Sequence, residues 1–421
     1  MAARYRAARH HRRRCYPAAV EWLRIPLMAL TGLCALGVVW WCVALFRMVR
    51  ELQLVTRVRE GLGLPEPPGG WPRVSVVIPA HNEEALAPAC ARSVLASEYP
   101  DFEAIFVLDR CTDATLERLR PLAAADPRLR ILENGSCPPD WAGKCNAARV
   151  GAAAATGEML LFTDADTHFQ PGLMRASVAL AKHRGLALLS LMSTLTAERW
   201  FERVIQPAAA MMLMQLYPIS AANRAVNPRV FANGQFMLFE RAVYDRLGGH
   251  AAVKDDLLED IAFARAVRDR ARARSGLFVA DGMLLVRMYE SLAALSEGWK
   301  RIFIEACLRK PARLWRKGAE VLAVGVILPA IQAATIVAAL AAAAVDPPLA
   351  ATAGGTALLG LLLQWLVVGV VFRQARAPAL GALLYPVGAW VVARCLRHGA
   401  RDLRARRPVR WGGRDYVLEP R

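Results

Sequence analysis

Glu158-Met159-Leu160-Leu161-Phe162-Thr163-Asp164-Ala165-Asp166 is the stretch whose reading decides the fold. Met159 to Phe162 is an uncharged apolar run, suited to the centre of a parallel sheet covered on both faces. It runs out at its carboxyl end into two aspartates separated by the small Ala165. In open α/β sheets, ligands bind at such strand ends. Neighbouring carboxylates repel unless something positive lies between them, and a hard divalent cation (Mg2+ or Mn2+) carrying phosphate oxygens meets that need. D-x-D also arises by chance as an acidic turn after a strand, so the rest of the chain has to decide.

The 421 residues leave room for a full α/β core and further segments. A hydrophobic content of 55% and a mean hydropathy of +0.26 point to a soluble domain joined to membrane segments. The net charge of +18 is unevenly spread. Arg4 to Arg14 and Arg394 to Arg414 are Arg-dense and abut apolar runs, which favours anionic lipid headgroups over nucleic acid. The nine cysteines form no C-x-x-C pair and no Cys/His metal spacing, as expected of reduced thiols in a cytosol-facing protein.

Taken in order, residues 1–25 are a basic segment and 26–49 an anchor, whose apolar run Pro26 to Phe46 spans ~31 Å as a helix. A charged neck and a Pro/Gly linker fill 50–72. The catalytic domain is expected over 73–290. Its strands are Val74 to Ile78, Glu103 to Leu108, Arg130 to Leu132, Met159 to Phe162, Leu186 to Leu191, Phe231 to Phe239 and Met283 to Arg287. Between them lie helices, one capped by Asn82 and running to Leu95, others ending near Leu122, at Gly157, near His183 and near Ala271. This alternation predicts a mostly parallel, helix-covered sheet. No G-x-G-x-x-G follows the first strand, which argues against a dinucleotide-binding domain. Met-rich Trp200 to Pro218 reads equally as core or as a greasy surface receiving a lipid. Residues 291–318 read as a basic amphipathic helix lying in a membrane interface. Residues 319–396 hold apolar runs Val321 to Val345, Leu349 to Phe372 and Pro378 to Ala393. The third spans only ~24 Å and contains Pro386, so it is expected to dip rather than cross, which keeps the basic tail 397–421 on the cytosolic side.

Acidic groups fall just after several strands: Glu83, Asp109, Asp164 and Asp166, then Glu259 and Asp260 at a helix start. Neighbouring strand ends can line one crevice. Lys144, at another helix start, adds a cation beside free backbone N–H groups. The set fits a nucleoside diphosphate bridged by a divalent metal, so a sugar–nucleotide bond is a natural substrate. A base for the attacking hydroxyl is then required, and Asp260 is the candidate, with Glu259 beside it. Both acids would also suit a helix dipole with no further role.

These residues bring a family into view. Val76-Val-Ile-Pro-Ala-His-Asn-Glu-Glu84, Leu108-Asp-Arg-Cys-Thr-Asp-Ala-Thr115, Gly143-Lys144, Asp164-Ala-Asp166 and Leu258-Glu-Asp260 resemble the motifs of family-2 glycosyltransferases of the GT-A fold. The resemblance covers roughly Arg73 to Arg309. It implies an α/β nucleotide-diphospho-sugar transferase fold with flanking transmembrane helices, and an inverting enzyme. By resemblance, Pro79, Ala80, Glu83 and Asp109 hold the nucleobase side of a UDP-sugar, Lys144 the donor, Asp164 and Asp166 the donor and metal, and Asp260 acts as base. The family often has two successive aspartates after the second strand; here Leu108 takes the first place. A narrower resemblance, to bacterial carotenoid glucosyltransferases and hopanoid-associated glycosyltransferases, rests on Ala232-Asn-Gly-Gln235, Gly248-Gly-His250, Arg287-Met-Tyr289, Glu297-Gly-Trp-Lys300, Trp200-Phe-Glu202 and Trp411-Gly-Gly-Arg-Asp-Tyr416. It implies transfer of one sugar to a hydroxyl or carboxyl of a membrane lipid of isoprenoid, carotenoid or hopanoid type, with Gln235, His250 and Trp299 near the acceptor mouth. The expected setting is the cell membrane, multi-pass, with the catalytic domain on the cytoplasmic face and no nucleic-acid partner.

Two rivals stand beside this reading. A processive polysaccharide synthase carries Q/R-x-x-R-W before its later membrane helices. Arg309 to Trp315 does not match that signature, and Arg407-Pro-Val-Arg410-Trp411 matches it only within the Arg-rich tail. A non-catalytic lipid- or nucleotide-binding scaffold would keep the fold without needing Asp260.

Overall fold

The structure, a computed structural model, describes residues 2–226, 228–254, 259–411 and 414–420, with the side chains of 2–22 and 409–415 outside that description. Leu258 therefore lies outside the described residues, as do the side chains of the amino-terminal arginines and of Arg410 and Trp411. In chain order the helices are α1 (Ala2–Leu54), α2 (Ala87–Leu95), α3 (Thr115–Ala125), α4 (Gly143–Ala154), α5 (Leu173–Arg184), α6 (Trp200–Leu216), α7 (Ile219–Ala222), α8 (Arg241–Leu247), α9 (Glu259–Asp269), α10 (Leu292–Ala306), α11 (Pro311–Leu322), α12 (Leu328–Ala342), α13 (Pro347–Gln374) and α14 (Tyr385–Arg404). The strands are β1 (Val74–Ala80), β2 (Phe102–Asp109), β3 (Leu129–Asn134), β4 (Met159–Thr163), β5 (Thr167–Phe169), β6 (Leu188–Met192), β7 (Thr194–Leu195), β8 (Phe236–Glu240), β9 (Ser275–Val279), β10 (Leu284–Val286), β11 (Pro408–Trp411) and β12 (Arg414–Val417). They divide into two compact units: Met1–Leu52 with Ala197–Met212 and Lys310–Arg401, and Gln53–Thr196 with Leu213–Arg309 and Asp402–Arg421.

The second unit is built on a seven-stranded sheet in the order β3-β2-β1-β4-β8-β6-β9. β4, the stretch read first, is wholly buried, parallel to β1 on one side and antiparallel to β8 on the other. Only β8 runs against the rest, so the sheet is mostly parallel, and its apolar residues form separate clusters on the two faces. The crossover connections order β3-β2-β1-β4, which brings the carboxyl ends of β1, β2 and β4 to one edge. Glu103 opens β2 as a buried acid. Burial opposes its charge, yet donors from Thr156, Ser75 and Arg130 hold it at about 2, so it ties strands together and is not part of a site.

Three local expectations change here. Asn82 caps no helix: it sits at φ 57°, accepts the Thr112 N–H at 2.8 Å, and the helix waits until Ala87. The strand expected from Phe231 begins only at Phe236, because Asn233 is held in a turn by Ser190 and Leu191. Residues 291–318 are not one interfacial helix. Leu308 and Arg309 take φ values of 60° and 53°, and Pro311 follows, so α10 ends at Ala306 and α11 starts afresh. α10 buries Leu295, Trp299, Phe303 and Ile304 and belongs with the sheet unit. α6 buries Phe201, Val204, Ile205 and Met212, while Trp200 is 59% exposed and Met211 and Met214 are half-buried, so the stretch has both a core face and an apolar outer one.

Among the described residues, four helical stretches, lying mainly in the first unit, are long and apolar enough to cross a membrane: Leu23–Leu54, Pro311–Ala342, Pro347–Gln374 and Ala379–Arg404. Arg24 pairs with Asp346 at 2.7 Å, so the apolar stretch of α1 starts at the end where α12 turns into α13. The third carboxyl-terminal run reaches Arg404 instead of stopping near Ala393, and Pro386 lies in the first turn of α14, where a missing N–H costs nothing. Gly325 faces Tyr385 and Ala389, while Gly318 faces Ala393 and Arg397. α14 therefore runs antiparallel to the first half of the Pro311–Ala342 stretch, with Trp315 near Arg397 and Arg401 at its far end.

Candidate active site

Each acidic residue after β1, β2 and β4 comes from a strand end, and α4 and α9 bring the remaining charged groups to meet them. Lys144, the second residue of α4, places its Nζ 2.7 Å from Asp164 Oδ1 and 3.1 Å from Glu259 Oε1. Burial would lower this ammonium, but Asp164, Glu259 and Asp260 outweigh it and hold it above the ordinary lysine value. Burial likewise opposes ionisation of Glu259, and Lys144 with its backbone donor overcomes that, so Glu259 is held below the usual carboxylate range.

Asp260 differs from its neighbour. Its Oδ2 accepts the Gly234 N–H at 2.8 Å and its Oδ1 accepts the Ile261 N–H at 2.7 Å. Burial and the adjacent Glu259 charge push it up to about 7, which the two N–H bonds and Lys144 only moderate. Two acids side by side thus hold different protonation states near neutrality. That is the arrangement in which one serves as base and the other as a fixed charge.

The Asn233-Gly234-Gln235 turn explains the short strand. Asn233 Nδ2 donates to Leu191 O at 2.9 Å and to Gln235 Oε1 at 3.2 Å, and the Gln235 carbonyl accepts from Thr163 Oγ1 at 2.7 Å. The turn holds the Gly234 N–H on Asp260. A Cβ at Gly234 would stand 3.1 Å from Lys144 Nζ and 3.2 Å from Glu259 Oε1. We expect Gly234→Ala to fold, yet to lower kcat by about ten- to a hundredfold by displacing the Lys144–Glu259 pair. Steady-state kinetics beside a melting curve checks this; unchanged kcat would show that the close approach has no catalytic use.

Asp164 and Asp166 take different parts. Asp164 faces Lys144, whereas Asp166 Oδ1 is buried with no hydrogen-bond partner. Burial, Asp164 and Glu83 raise Asp166 well above the usual carboxylate range. Glu83 is itself pushed up to about 7 by burial, then by Asp164, Asp113 and Glu290. Among the described residues no three His, Cys, Asp or Glu side chains form a ready metal nest, so a divalent cation here would need donor phosphate oxygens beside Asp164 and Asp166. A buried unsatisfied carboxylate oxygen among like charges fits such a cation. His168 points outward from β5 and adds nothing to it.

At the far edge, Asp109 is buried and receives Arg110 Nη2 at 2.6 Å and Asn134 Nδ2 at 3.1 Å. Pro79 and Ala80 end β1 beside it, and Gly143 leaves room for the Asp109–Arg110 pair, since a Cβ there would lie 2.7 Å from each partner. Two residues expected near an acceptor mouth are instead packed inside. His250 is 2% exposed, its Nδ1 lies 2.7 Å from the Tyr244 hydroxyl, its ring rests on Phe162 and Phe263, and burial lowers it to about 3. It is a neutral packing ring beside Glu259. Trp299 is 4% exposed and lies tilted against Phe303, with ring centroids 5.4 Å apart. Gln235 is also buried and serves the Gly234 turn.

Sequence reading missed Arg301. Its guanidinium is lowered by burial, against the pull of Tyr289, Glu259, Asp260 and Asp164, which places a second cation within electrostatic reach of the cluster. It lies one turn beyond Gly298, where a Cβ would stand 2.4 Å from the Tyr289 ring. A glycine packed on a tyrosine at that spacing was the signal available in Gly298-Trp299-Lys300-Arg301.

Residues 75–248 match the sequence profile of the family described as "Glycosyl transferase family 2". That stretch carries most of the mostly parallel, helix-covered sheet that the motifs implied. The chain is 24% identical over 242 residues to 4,4'-diaponeurosporenoate glycosyltransferase of Staphylococcus haemolyticus, covering 56% of this chain and 63% of the relative. It is 29% identical over 166 residues to beta-monoglucosyldiacylglycerol synthase of Trichormus variabilis, covering 38% of this chain and 31% of the relative. The chain thus spans less than two thirds of the length of these relatives. Among solved structures it is similar to the mannosyltransferase PcManGT of Pyrobaculum calidifontis in complex with GDP-Man and Mn2+, at 19% identity and a TM-score of 0.43, covering 86% of this chain and 99% of that one.

Proposed function

We propose that this protein is an inverting glycosyltransferase that moves one sugar from a nucleotide-sugar donor to a hydroxyl or carboxyl of a membrane lipid. The observation that carries it is Asp260. It is a carboxylate fixed by two backbone N–H groups, with its proton affinity raised to about 7, beside a lysine bridged to a strand-end aspartate. Asp260 takes the proton of the acceptor O–H as that oxygen bonds to the anomeric carbon. The bond from that carbon to the donor diphosphate breaks on the opposite face, which inverts the centre. Lys144 and Arg301 supply positive charge for the leaving diphosphate, and Glu259 keeps the Lys144 ammonium in place. Asp164 and Asp166 would hold a divalent cation, which when bound supplies Lewis-acid neutralisation of the diphosphate. Pro79, Glu83 and Asp109 line the nucleobase side, with Arg110 and Asn134 in the place of a second aspartate.

The acceptor reading draws on the apolar helices and on relatives named for a carotenoid acid and a diacylglycerol lipid. The first unit is placed in the bilayer with the catalytic unit on the cytoplasmic face.

The test is product analysis. Full-length protein in nanodiscs, given bacterial lipid extract and a panel of UDP- and GDP-sugars, is expected to yield a lipid one hexose heavier by mass spectrometry. A polymer would move the assignment to a processive synthase, and no product from any donor would favour the scaffold. A second expectation follows from the raised Asp260. Only its deprotonated form accepts a proton, so kcat/KM for the acceptor should rise about tenfold per pH unit below about 7 and level above it. A flat profile from pH 5 to 8 would remove Asp260 as the base.

A further inference from the structure

The end of the first unit where α11 begins and α14 finishes carries cations that sugar transfer does not use. Arg397 stacks its guanidinium 5.0 Å from the centroid of the Trp315 ring, and Arg401, one turn on, lies 5.7 Å from the same ring. Gly318 allows the approach, since a Cβ there would meet Arg397 Cγ at 3.1 Å. Stacking fixes a guanidinium plane and leaves its N–H edge pointing sideways, the edge that pairs with phosphate. Arg397 Nε and Trp315 Nε1 are both buried, and neither has a hydrogen-bond partner. A buried N–H left unmade is costly, so two of them beside two cations point to an acceptor that is also an anion. The acids of these helices are taken: Glu320 by Lys317 at 2.7 Å and Asp402 by Lys300 at 2.8 Å.

We propose that Trp315, Arg397 and Arg401 bind the phosphate of an anionic phospholipid. Depth supports a lipid over a dissolved anion. The unbroken apolar part of the Pro311–Ala342 stretch starts at Val321, so Trp315 falls about two turns outside it, where indole rings sit among headgroups. The site rests on the bilayer placement proposed above, but not on sugar transfer.

The experiment titrates the full chain, delipidated in neutral detergent, with dioleoylphosphatidylglycerol, dioleoylphosphatidylcholine or sodium phosphate, and follows the melting temperature. Phosphatidylglycerol is expected to raise Tm saturably, and the other two are not. Arg397→Gln with Arg401→Gln should shift the phosphatidylglycerol midpoint by at least about tenfold, the loss expected when charge-assisted hydrogen bonds go. Trp315→Phe keeps the ring face and removes only the N–H, so it should shift the midpoint by a smaller factor. Equal responses in wild type and the double variant would overturn the site, and inorganic phosphate acting as well as the lipid would overturn the lipid assignment. If the double variant fails to fold, Trp315→Phe and Arg397→Lys carry the test, and an unchanged midpoint in both overturns it. Carbonate extraction reads insertion separately: the variants should stay in the membrane pellet.

Discussion

Asp260→Asn is expected to lower kcat by about a thousandfold or more while the donor Kd stays within about threefold, the signature of a lost general base. Asparagine keeps the shape and one acceptor oxygen, so it holds one of the Gly234 and Ile261 N–H groups and loses the other, a cost of one hydrogen bond that still leaves the turn and the start of α9 folded. The protonation argument says the same. A group raised to about 7 is already part neutral at neutral pH, so the fold tolerates an uncharged side chain there. The sign for stability follows from linkage. With the folded value above the ordinary 3.8, the stabilisation belonging to the neutral acid is complete below the unfolded value and is lost as pH rises through about 7. Asparagine cannot ionise, so Asp260→Asn should melt higher relative to wild type at pH 8 than at pH 5. Dead catalysis with that melting pattern separates a missing base from a damaged fold. Wild-type turnover in the variant would remove Asp260 as the base.

What the sequence made legible was whatever depended on local composition. The apolar run before Asp164, the alternation of strands and helices, and the order of acidic strand ends all survive, because burial on both faces and the right-handed crossover leave such a chain few arrangements. The losses share a cause: each needed a contact distant in sequence. Asn82 looks like a cap until Thr112 claims its side chain from the neighbouring strand end. His250 and Trp299 look like mouth residues until Phe162, Phe263 and Phe303 are seen around them. Gln235 reads as a mouth residue, yet it is the N–H of Gly234 before it that meets Asp260, which a side-chain reading cannot see. Arg301 was hidden in a segment read as basic and interfacial. Nothing local says that Leu308 and Arg309 break that segment in left-handed conformations and leave α10 with the sheet.

The two strand-end aspartates give the other large effect, and it can be read without turnover. Asp166 is raised and has a buried oxygen with no partner, while Asp164 is already engaged by Lys144. If the pair exists to hold a divalent cation with a diphosphate, wild-type affinity for UDP or GDP by calorimetry should rise by about a hundredfold or more when Mn2+ replaces EDTA. Asp166→Ala should remove that gain and leave the weaker cation-free affinity, which Lys144 and Arg301 supply. The ion-free variant offers an independent sign. Asp166 faces Asp164 and Glu83, so Asp166→Asn removes a repulsion and should raise Tm in EDTA while abolishing the further rise that nucleotide with Mn2+ gives wild type. A structural aspartate would behave oppositely, its loss lowering Tm under every condition and leaving the cation response intact. Nucleotide binding indifferent to Mn2+ in wild type would assign the diphosphate to the lysine and arginine alone, and would make the orphaned oxygen of Asp166 a strained relic of packing.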